Sequence, residues 1–259
     1  MKKLLTILAY CLLIAMFSCT KPSGVEITEY FALPSHYDQL YVSDGMEITV
    51  TSGGDQIVVT GDENAVSTVK VECSGGRLRI TRSDFSVFRL MKCKVELPYN
   101  EDLREVEATL YGSFETPYTM QAKKVKLTAS SFADINVKYI LTDDLTISAS
   151  NNSDINADVD VNNLTELSLD HSDAEITGST ENLRLDLRGN SELKKRWGNG
   201  GYDFDCTYCY GNMNDSKAYL HCYDKLSVAL ANESALHFTG HPNYSESSWD
   251  ETSSLVDEN

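Results

Sequence analysis

Apolar and polar residues alternate in short runs along most of the chain. Clear examples are VKLTA from residue 125, LTISA from 145, LRLDL from 183 and LSVAL from 226. A period of two places successive side chains on opposite faces of an extended strand, so each run predicts a strand with one buried face. Strong helix signals are missing from the sequence. The pattern therefore predicts an all-β protein.

A small residue recurs in the polar segments between these runs. The positions are Ser113, Ala133, Ser153, Ser172, Ser191, Ser216 and Ser234, with separations of 20, 20, 19, 19, 25 and 18 residues. A unit of this length is too short for two helices, and it buries its apolar face only by stacking on the next unit. The repeat predicts a parallel β-solenoid, with one corner for each of these positions.

The three residues at each corner are predicted to alternate in direction. The small first residue faces inward where the wall bends, and so does the third residue, as in Ile135 and Ile155. The second residue then faces solvent. These outward positions are Phe114, Asp134, Asp154, Asp173, Glu192, Lys217 and Ala235. If the coils are in register, Ile135 and Ile155 are vertical neighbours.

The region 36–110 is also rich in strand patterns, but its repeat is less regular. Gly53-Gly54 and Gly75-Gly76 supply turns between its runs. It is predicted to form either the first coils of the solenoid or a β-cap that covers the exposed strand edge.

Three features resemble a known family. They are the run HYDQLYVSDGMEITVTSGGDQIVVTGDENAVSTVKVECSGGRLRI at 36–80, the repeated Ser-Asp corners and LHFTGHP at 236–242. Together they are similar to the head GIN domain family of auto-transporter adhesins, which is common in lipoproteins and secreted proteins of Bacteroides-like bacteria. The resemblance implies an extracytoplasmic β-helix over about 30–244. The family, together with the general preference for right-handed parallel crossovers, implies a right-handed solenoid.

The first residues, MKKLLTILAYCLLIAMFSC, have a basic start and an apolar run that is short for a bilayer span. A cysteine directly after Met16-Phe17-Ser18 resembles the bacterial lipoprotein cleavage box, so we predict a lipoprotein signal peptide at 1–18 and lipidation of Cys19. A plain signal peptide is the alternative. We expect a tether at 19–29, one solenoid domain at 30–244 and an acidic disordered tail at 245–259. The protein would be an outer-membrane lipoprotein on the periplasmic or the cell-surface face.

The charge of the chain narrows the choice of partners. The sequence has 22 basic and 39 acidic residues, for a net charge of −17. Removal of Lys2 and Lys3 with a signal peptide would leave 20 basic residues and a net charge of −19. Phosphate backbones and anionic lipids repel such a surface, which argues against nucleic-acid binding.

The outward acids Asp134, Asp154, Asp173 and Glu192 form a predicted acidic ladder. Neighbouring carboxylates would lie ~5 Å apart and second neighbours ~10 Å apart, which brackets the separations that glycosidases use. Stacked like charges could also attract Ca²⁺. The simpler explanation is that polar corners are favoured because their side chains bond the turn backbone and are screened by water. The sequence shows no basic partner on the two Asp-rich rungs.

The unit of 25 residues contains an insertion near LKKRWGNGGYD, at 193–203. Extra length in a solenoid goes into loops on one face, which is often the binding face. The candidate binding residues are Lys194, Lys195, Arg196, Trp197 and Tyr202. Further tyrosines follow at 208, 210, 219 and 223, and aromatic rings either stack on sugars and anchor interfaces or fill a widened core.

Cysteines supply one more candidate site. Cys206, Cys209, His221 and Cys222 have a spacing that superficially suits zinc. Alternation, however, puts Cys206 and Cys209 on opposite sides of a strand. We therefore favour either a disulfide or buried free thiols over a zinc site. Cys73 and Cys93 are a possible disulfide pair.

The leading hypothesis is a lipid-anchored, non-catalytic envelope protein whose solenoid presents a long surface to a glycan or protein partner, without a cofactor. The first alternative is a pectinase-like enzyme that uses the acidic ladder. The second is a purely structural envelope protein that binds no ligand.

Overall fold

A computed structural model describes residues 22–83, 91–195 and 202–259. Within these residues, no helix is long and apolar enough to cross a membrane. The strands are β1 (Glu26–Ala32), β2 (Gln39–Val42), β3 (Met46–Thr51), β4 (Gln56–Asp62), β5 (Val69–Ser74), β6 (Arg77–Arg82), β7 (Cys93–Pro98), β8 (Glu105–Thr109), β9 (Ser113–Ser130), β10 (Asp134–Ser150), β11 (Asp154–Asp170), β12 (Asp173–Lys194), β13 (Phe204–Ala231), β14 (Ala235–Thr239), β15 (Ser248–Trp249) and β16 (Ser254–Asp257). One short helix, α1 (Glu63–Val66), follows β4.

The strands from β9 onward wind into stacked coils. Strands β9 to β13 pair in parallel in chain order, and β14 and β16 continue the stack. Ile135 lies in register with Phe114 on one side and with Ile155 on the other. All three side chains are buried. The predicted parallel β-solenoid is therefore confirmed.

The region before β9 contains both of the features that the sequence allowed. Strands β2 and β3 pair in parallel with β8 and β9, so they are the first coils of the same solenoid. Strands β1, β4 and β5 are antiparallel additions to this end: β1 pairs with β4, β4 with β7, and β5 with β6. They cover the edge that the first coil would otherwise expose.

Each coil turns through a corner in the left-handed backbone region. In the corner between β10 and β11, Asn151 and Asn152 have φ angles of 58° and 59°. Asn, Asp and Gly tolerate this region better than other residues. These residue types recur at the corners because the bend requires a positive φ.

Buried serines bond successive corners to one another. The Ser153 hydroxyl accepts a hydrogen bond from the Ala133 backbone N–H at 3.1 Å, and the Ser172 hydroxyl accepts one from Ser153 at 3.1 Å. The Ser191 hydroxyl repeats the contact with Ser172 at 3.2 Å. A serine is favoured here because it is small enough for the bend and satisfies a buried backbone donor.

The first corner differs from the prediction by one residue. Asp134 pairs with Ser113, so the equivalent of Ala133 is Gly112, and Phe114 is buried while Glu115 is exposed. The prediction that Phe114 faces solvent was wrong. A Cβ on Gly112 would lie 2.9 Å from the Thr109 carbonyl oxygen, so a glycine replaces the small residue at this corner.

Both ends of the predicted domain were also placed incorrectly. Strand β1 begins at Glu26, within the predicted tether, and residues 1–18 and Cys19 lie outside the described residues. The segment 245–259 is not a disordered tail, because β15 and β16 form part of a further coil. The Ser253 hydroxyl accepts a hydrogen bond from the Ser234 N–H at 3.2 Å, 19 residues away. The acidic composition concealed this last repeat of the corner.

Three cysteines lie together inside the solenoid. Cys206, Cys209 and Cys222 are buried and free, so the prediction that Cys206 and Cys209 face opposite sides was wrong. The in/out alternation breaks at Thr207 and Tyr208, and this returns Cys209 to the core. Cys73 is exposed and Cys93 is buried, and both are free, so the possible disulfide between them is not formed.

One inward position carries a hydroxyl instead of a hydrocarbon. Thr165 is fully buried between Leu145 and Leu183 on the adjacent coils. Within the described structure its Oγ1 has no hydrogen-bond partner. Thr180 is buried too, but its hydroxyl donates to the Asn182 carbonyl oxygen at 3.0 Å. Thr165 and Thr180 are therefore suited to a direct comparison of a buried hydroxyl without and with a hydrogen-bond partner.

Thr165→Val should stabilise the protein by about 1 kcal/mol, because it removes an unsatisfied buried hydroxyl at constant shape. Thr180→Val should destabilise it by a similar amount, because the Asn182 carbonyl loses its donor. Urea unfolding monitored by circular dichroism measures both changes. A loss of stability in Thr165→Val would contradict the unsatisfied state of that hydroxyl.

The thiols should differ sharply in reactivity. The pKa of Cys222 is raised by its hydrogen bond to Cys206 and by burial. The pKa of Cys206 is raised by its hydrogen bond to Cys209 and by burial, and the pKa of Cys93 is raised by burial. Iodoacetamide reacts with thiolates, so at pH 8 it should label exposed Cys73 and leave the four buried cysteines unmodified. Peptide mass spectrometry locates the label.

Denaturation in urea without a reductant is the control for this experiment. All five cysteines that the structure describes should then be labelled. Protection of any two of them in the unfolded chain would reveal a disulfide and contradict the free thiols.

Candidate functional site

The structure brings the residues of the acidic ladder into one column. Asp134 pairs with Asp154, and Asp154 with Asp173. The Glu192 N–H donates to Asp173 Oδ1 at 3.0 Å, which places Glu192 on the following rung. Neighbouring rungs of a parallel sheet lie about 4.8 Å apart. The carboxylates are therefore close enough to influence one another.

A lysine within the same wall balances part of this charge. Lys194 Nζ lies 2.8 Å from Asp173 Oδ2. The hydrogen bond to Asp173, with the charges of Asp154 and Glu192 nearby, raises the pKa of Lys194. The expectation that these rungs have no basic partner was wrong, because Lys194 reaches Asp173 from the next coil. This lysine supplies a positive charge beside Asp173 within the protein itself.

The other end of the ladder is less well compensated. Burial and the charge of Asp154 raise the pKa of Asp134, and Lys92 opposes the shift. Asn136, Asn156 and Glu175 form a second outward column beside these acids. Asp134 and Asp154 of the ladder and all three residues of the second column line an open, polar groove. Within the described residues, no three of His, Cys, Asp and Glu are arranged to hold a metal ion.

The insertion loop is described at its two ends. Lys194 belongs to the ladder, Lys195 and Tyr202 lie at the surface, and Arg196 and Trp197 fall outside the described residues. Lys195 Nζ lies 5.3 Å from the centre of the Tyr219 ring and 5.8 Å from that of Tyr202. These distances allow cation–π contacts with both rings.

Lys195 and Tyr202 are part of a larger group at the end of the solenoid. We name it the distal cluster; its members are Lys195, Tyr202, Tyr219, His237 and Glu258. The Tyr219 ring stacks on His237 with centroids 4.8 Å apart and lies 5.8 Å from Tyr202. The Tyr202 hydroxyl donates to Glu258, and His237 Nδ1 lies 2.6 Å from the other Glu258 oxygen. These two hydrogen bonds lower the pKa of Glu258.

The distal cluster depends on Glu258, which belongs to the segment that was predicted to be a disordered tail. Glu258 was missed for that reason, and His237, which lies on β14 within the predicted domain, was not recognised as its partner. The serine of the last corner, Ser253, was the signal that could have found them. Of the two roles that the sequence allowed for the further tyrosines, filling a widened core does not apply to Tyr208, Tyr210 and Tyr223, which are exposed.

A second unusual surface lies at the first corners. We name it the corner ridge; it consists of Leu110, Tyr111 and Phe132, which have φ angles of 50°, 64° and 65°. Bulky residues in this region cost about 1–2 kcal/mol each. At the remaining left-handed positions of the described chain, the non-glycine residues are Asp, Ser, Asn, His and Glu. Leu110 and Phe132 are nevertheless exposed, by 41% and 49%.

The two rings of the corner ridge contact each other. Tyr111 and Phe132 occupy the same corner position on successive coils and stack with centroids 5.0 Å apart and planes 5° from parallel. Such a contact contributes about 0.5–1.5 kcal/mol. Since three strained residues cost about 3–6 kcal/mol, the stacking offsets only part of the strain.

Comparison with known proteins gives a family and a fold. A family model described as "Putative auto-transporter adhesin, head GIN domain" matches residues 36–197. A search of curated proteins gives no match.

Several crystal structures share the architecture. One titled as a putative adhesin from Parabacteroides merdae ATCC 43184 has a TM-score of 0.79 and 13% identity, over 93% of this chain and 99% of that chain. One titled as a putative lipid binding protein from Parabacteroides distasonis ATCC 8503 has a TM-score of 0.73 and 18% identity, over 92% and 98%. A putative adhesin from Bacteroides fragilis NCTC 9343 has a TM-score of 0.61 and 11% identity, over 91% of this chain and 98% of that chain. These similarities support the fold.

Proposed function

The chain belongs to the head GIN domain family of auto-transporter adhesins, and on that premise we propose that it is a lipid-anchored, non-catalytic envelope protein that binds a glycan. In this scheme Cys19 carries the lipid on the outer membrane, and the solenoid holds the binding surface away from the bilayer. The observation that carries the proposal is the position and chemistry of the distal cluster.

The distal cluster lies at the end of the solenoid that is opposite to the chain's N-terminal strand. Strand β1 is at one end of the sheet order, and β16, which precedes Glu258, is at the other. An anchor at Cys19 precedes β1 by only a few residues, so the stacked coils would separate the cluster from the membrane. This arrangement suits contact with a partner outside the cell or across the periplasm.

The chemistry of the cluster suits a carbohydrate. Tyr202 and Tyr219 are partly exposed and supply aromatic surface for the apolar face of a sugar ring. Lys195, His237 and Glu258 supply hydrogen-bonding groups of both polarities beside these rings. Flat aromatic surface edged by polar side chains is a combination that sugar recognition requires.

Charge restricts which glycans fit. The residues from 141 to the C-terminus include 7 basic and 22 acidic side chains, a net charge of −15. Such a surface repels sulfated and uronic acid polymers through long-range electrostatics. We therefore propose neutral or amine-bearing glycans as the ligand class. The same charge disfavours the polyuronate substrates of the pectinase-like alternative.

One observation nevertheless favours a catalytic role for the groove. Asp134 and Asp154 are adjacent carboxylates, and the pKa of Asp134 is raised. Glycosidases use two carboxylates with different pKa values. The groove is open to solvent on its outer side, whereas a catalytic pair works best where water is excluded. We therefore rank binding first, and the recovered glycan in the binding experiment should be intact.

Tyr219→Ala should weaken glycan binding roughly tenfold or more, since it removes the central ring of the distal cluster. The matched control is Tyr139→Ala, which removes an exposed tyrosine from a different coil. Both variants should be tested on an array of neutral, amine-bearing, uronic and sulfated glycans, with circular dichroism to show that they are folded. Equal glycan binding by both variants would exclude the distal cluster as the binding site. If the wild-type protein cleaves a glycan and Asp134→Asn and Asp154→Asn abolish that cleavage, the enzyme alternative is favoured.

Cys19→Ser should abolish membrane attachment, because the serine cannot form the thioether to the lipid. The measurement is detergent phase partitioning of cells labelled with an alkyne fatty acid. Cys11→Ser is the matched control, since Cys11 lies in the predicted signal peptide. If the Cys19→Ser protein still carries the fatty-acid label and enters the detergent phase, the proposed lipid anchor is contradicted. Protease treatment of intact cells would show which face of the outer membrane carries the protein.

A further inference from the structure

The corner ridge places apolar side chains where the fold itself favours small polar ones. Tyr111, Phe132 and Asn152 occupy equivalent positions on three successive coils. Asn152 meets the requirement for a positive φ at low cost, whereas the two aromatic residues do not. Exposure of the Phe132 ring means that burial does not compensate for its strain. A residue that opposes the local backbone preference, and whose stacking offsets only part of the strain, indicates a functional role.

A hollow begins on the coil that follows Phe132. It has a volume of about 260 Å³, and its lining includes Asn152, Asp154, His171 and Asp173. The corner at His171 contains one residue fewer than the corner at Asn151 and Asn152, since Ser150 pairs with Asp170 and Asp154 with Asp173. The hollow lies at this shorter corner, since His171 and Ser172 are part of its lining. The ring of Phe132 and the polar lining are therefore on adjacent rungs.

The groups that line the hollow are held in place. The Asn152 N–H donates to the His171 carbonyl oxygen at 2.7 Å. His171 Nδ1 lies 2.6 Å from Asp170 Oδ1, and Asp173 is fixed by the Glu192 N–H and by Lys194. Fixed hydrogen-bonding groups lose little conformational entropy when a ligand binds.

We infer that the corner ridge and this hollow form a second carbohydrate subsite, in which a neutral or amine-bearing sugar stacks on Phe132 and hydrogen-bonds to Asn152 and the carboxylates of the next coils. This inference rests on the proposed function, namely that the protein binds a glycan, and it assigns a site separate from the distal cluster. The carboxylates Asp154 and Asp173 accept hydrogen bonds from hydroxyl and ammonium groups and repel acidic sugars.

The size of the ridge favours a sugar over a protein partner. A stable protein interface buries about 800 Å² on each side and involves roughly 20–30 residues. The corner ridge offers three apolar side chains, and the next two corners carry Asn151, Asn152 and His171. One aromatic platform beside fixed polar groups matches the footprint of a few sugar units.

Phe132→Asn tests the subsite, because it installs the residue that the next coil carries at this position. It should weaken binding of neutral or amine-bearing glycans roughly tenfold. It should also raise the melting temperature by roughly 1–2 °C, because the relief of the left-handed strain exceeds the loss of stacking on Tyr111. Opposite changes in affinity and stability distinguish a binding residue from a structural one. Tyr30→Asn removes an exposed ring from β1 and is the matched control. It should leave glycan binding unchanged and should not raise the melting temperature.

Several outcomes would overturn the inference. Unchanged glycan affinity in Phe132→Asn, while Tyr219→Ala loses affinity, would remove the corner subsite and leave the proposed function intact. A lower melting temperature in Phe132→Asn would show that the ring is present for stability. Failure of the wild-type chain to bind any glycan would overturn both the subsite and the proposed function.

Discussion

Parallel hydrogen bonding between coils is the constraint on which this structure depends. Each strand can pair with the next only if the chain returns to the same register after every circuit, and the left-handed corners make that return possible. The corner serines reinforce the register because each hydroxyl accepts a backbone N–H from the preceding coil. Once register is fixed, residues 18–21 positions apart become vertical neighbours in most coils, and about 25 apart where the insertion lengthens one coil, so the surface columns described above follow.

The sequence pattern predicted the solenoid because its two signals, alternation and a repeated corner, are both local. It placed Ile135 and Ile155 correctly for that reason. It failed at the first corner because Gly112 replaces the usual small side chain where a Cβ would meet the Thr109 carbonyl oxygen. It failed at the C-terminus because charge and polarity masked Ser253. Both errors concern a corner whose composition departs from the others.

The candidate sites were less predictable than the fold, since they depend on contacts between coils. Lys194 was assigned to a binding loop, yet it pairs with Asp173 on the preceding coil. The alternation rule misplaced Cys209 because the strand breaks its alternation at Thr207 and Tyr208. The corner ridge gave no signal in the sequence, because a positive φ at Tyr111 and Phe132 is visible only in the folded chain.

The serine corner also has an evolutionary meaning. The hydroxyls of Ser153 and Ser172 each accept a hydrogen bond from the adjacent preceding coil. Each coil therefore contains the corner serine that joins it to its neighbour. In-frame duplication or deletion of one such 19-residue module would lengthen or shorten the rod and leave the remaining joints unchanged. Descendants of one ancestral gene could thus differ in the length of the rod while sharing the same terminal surface.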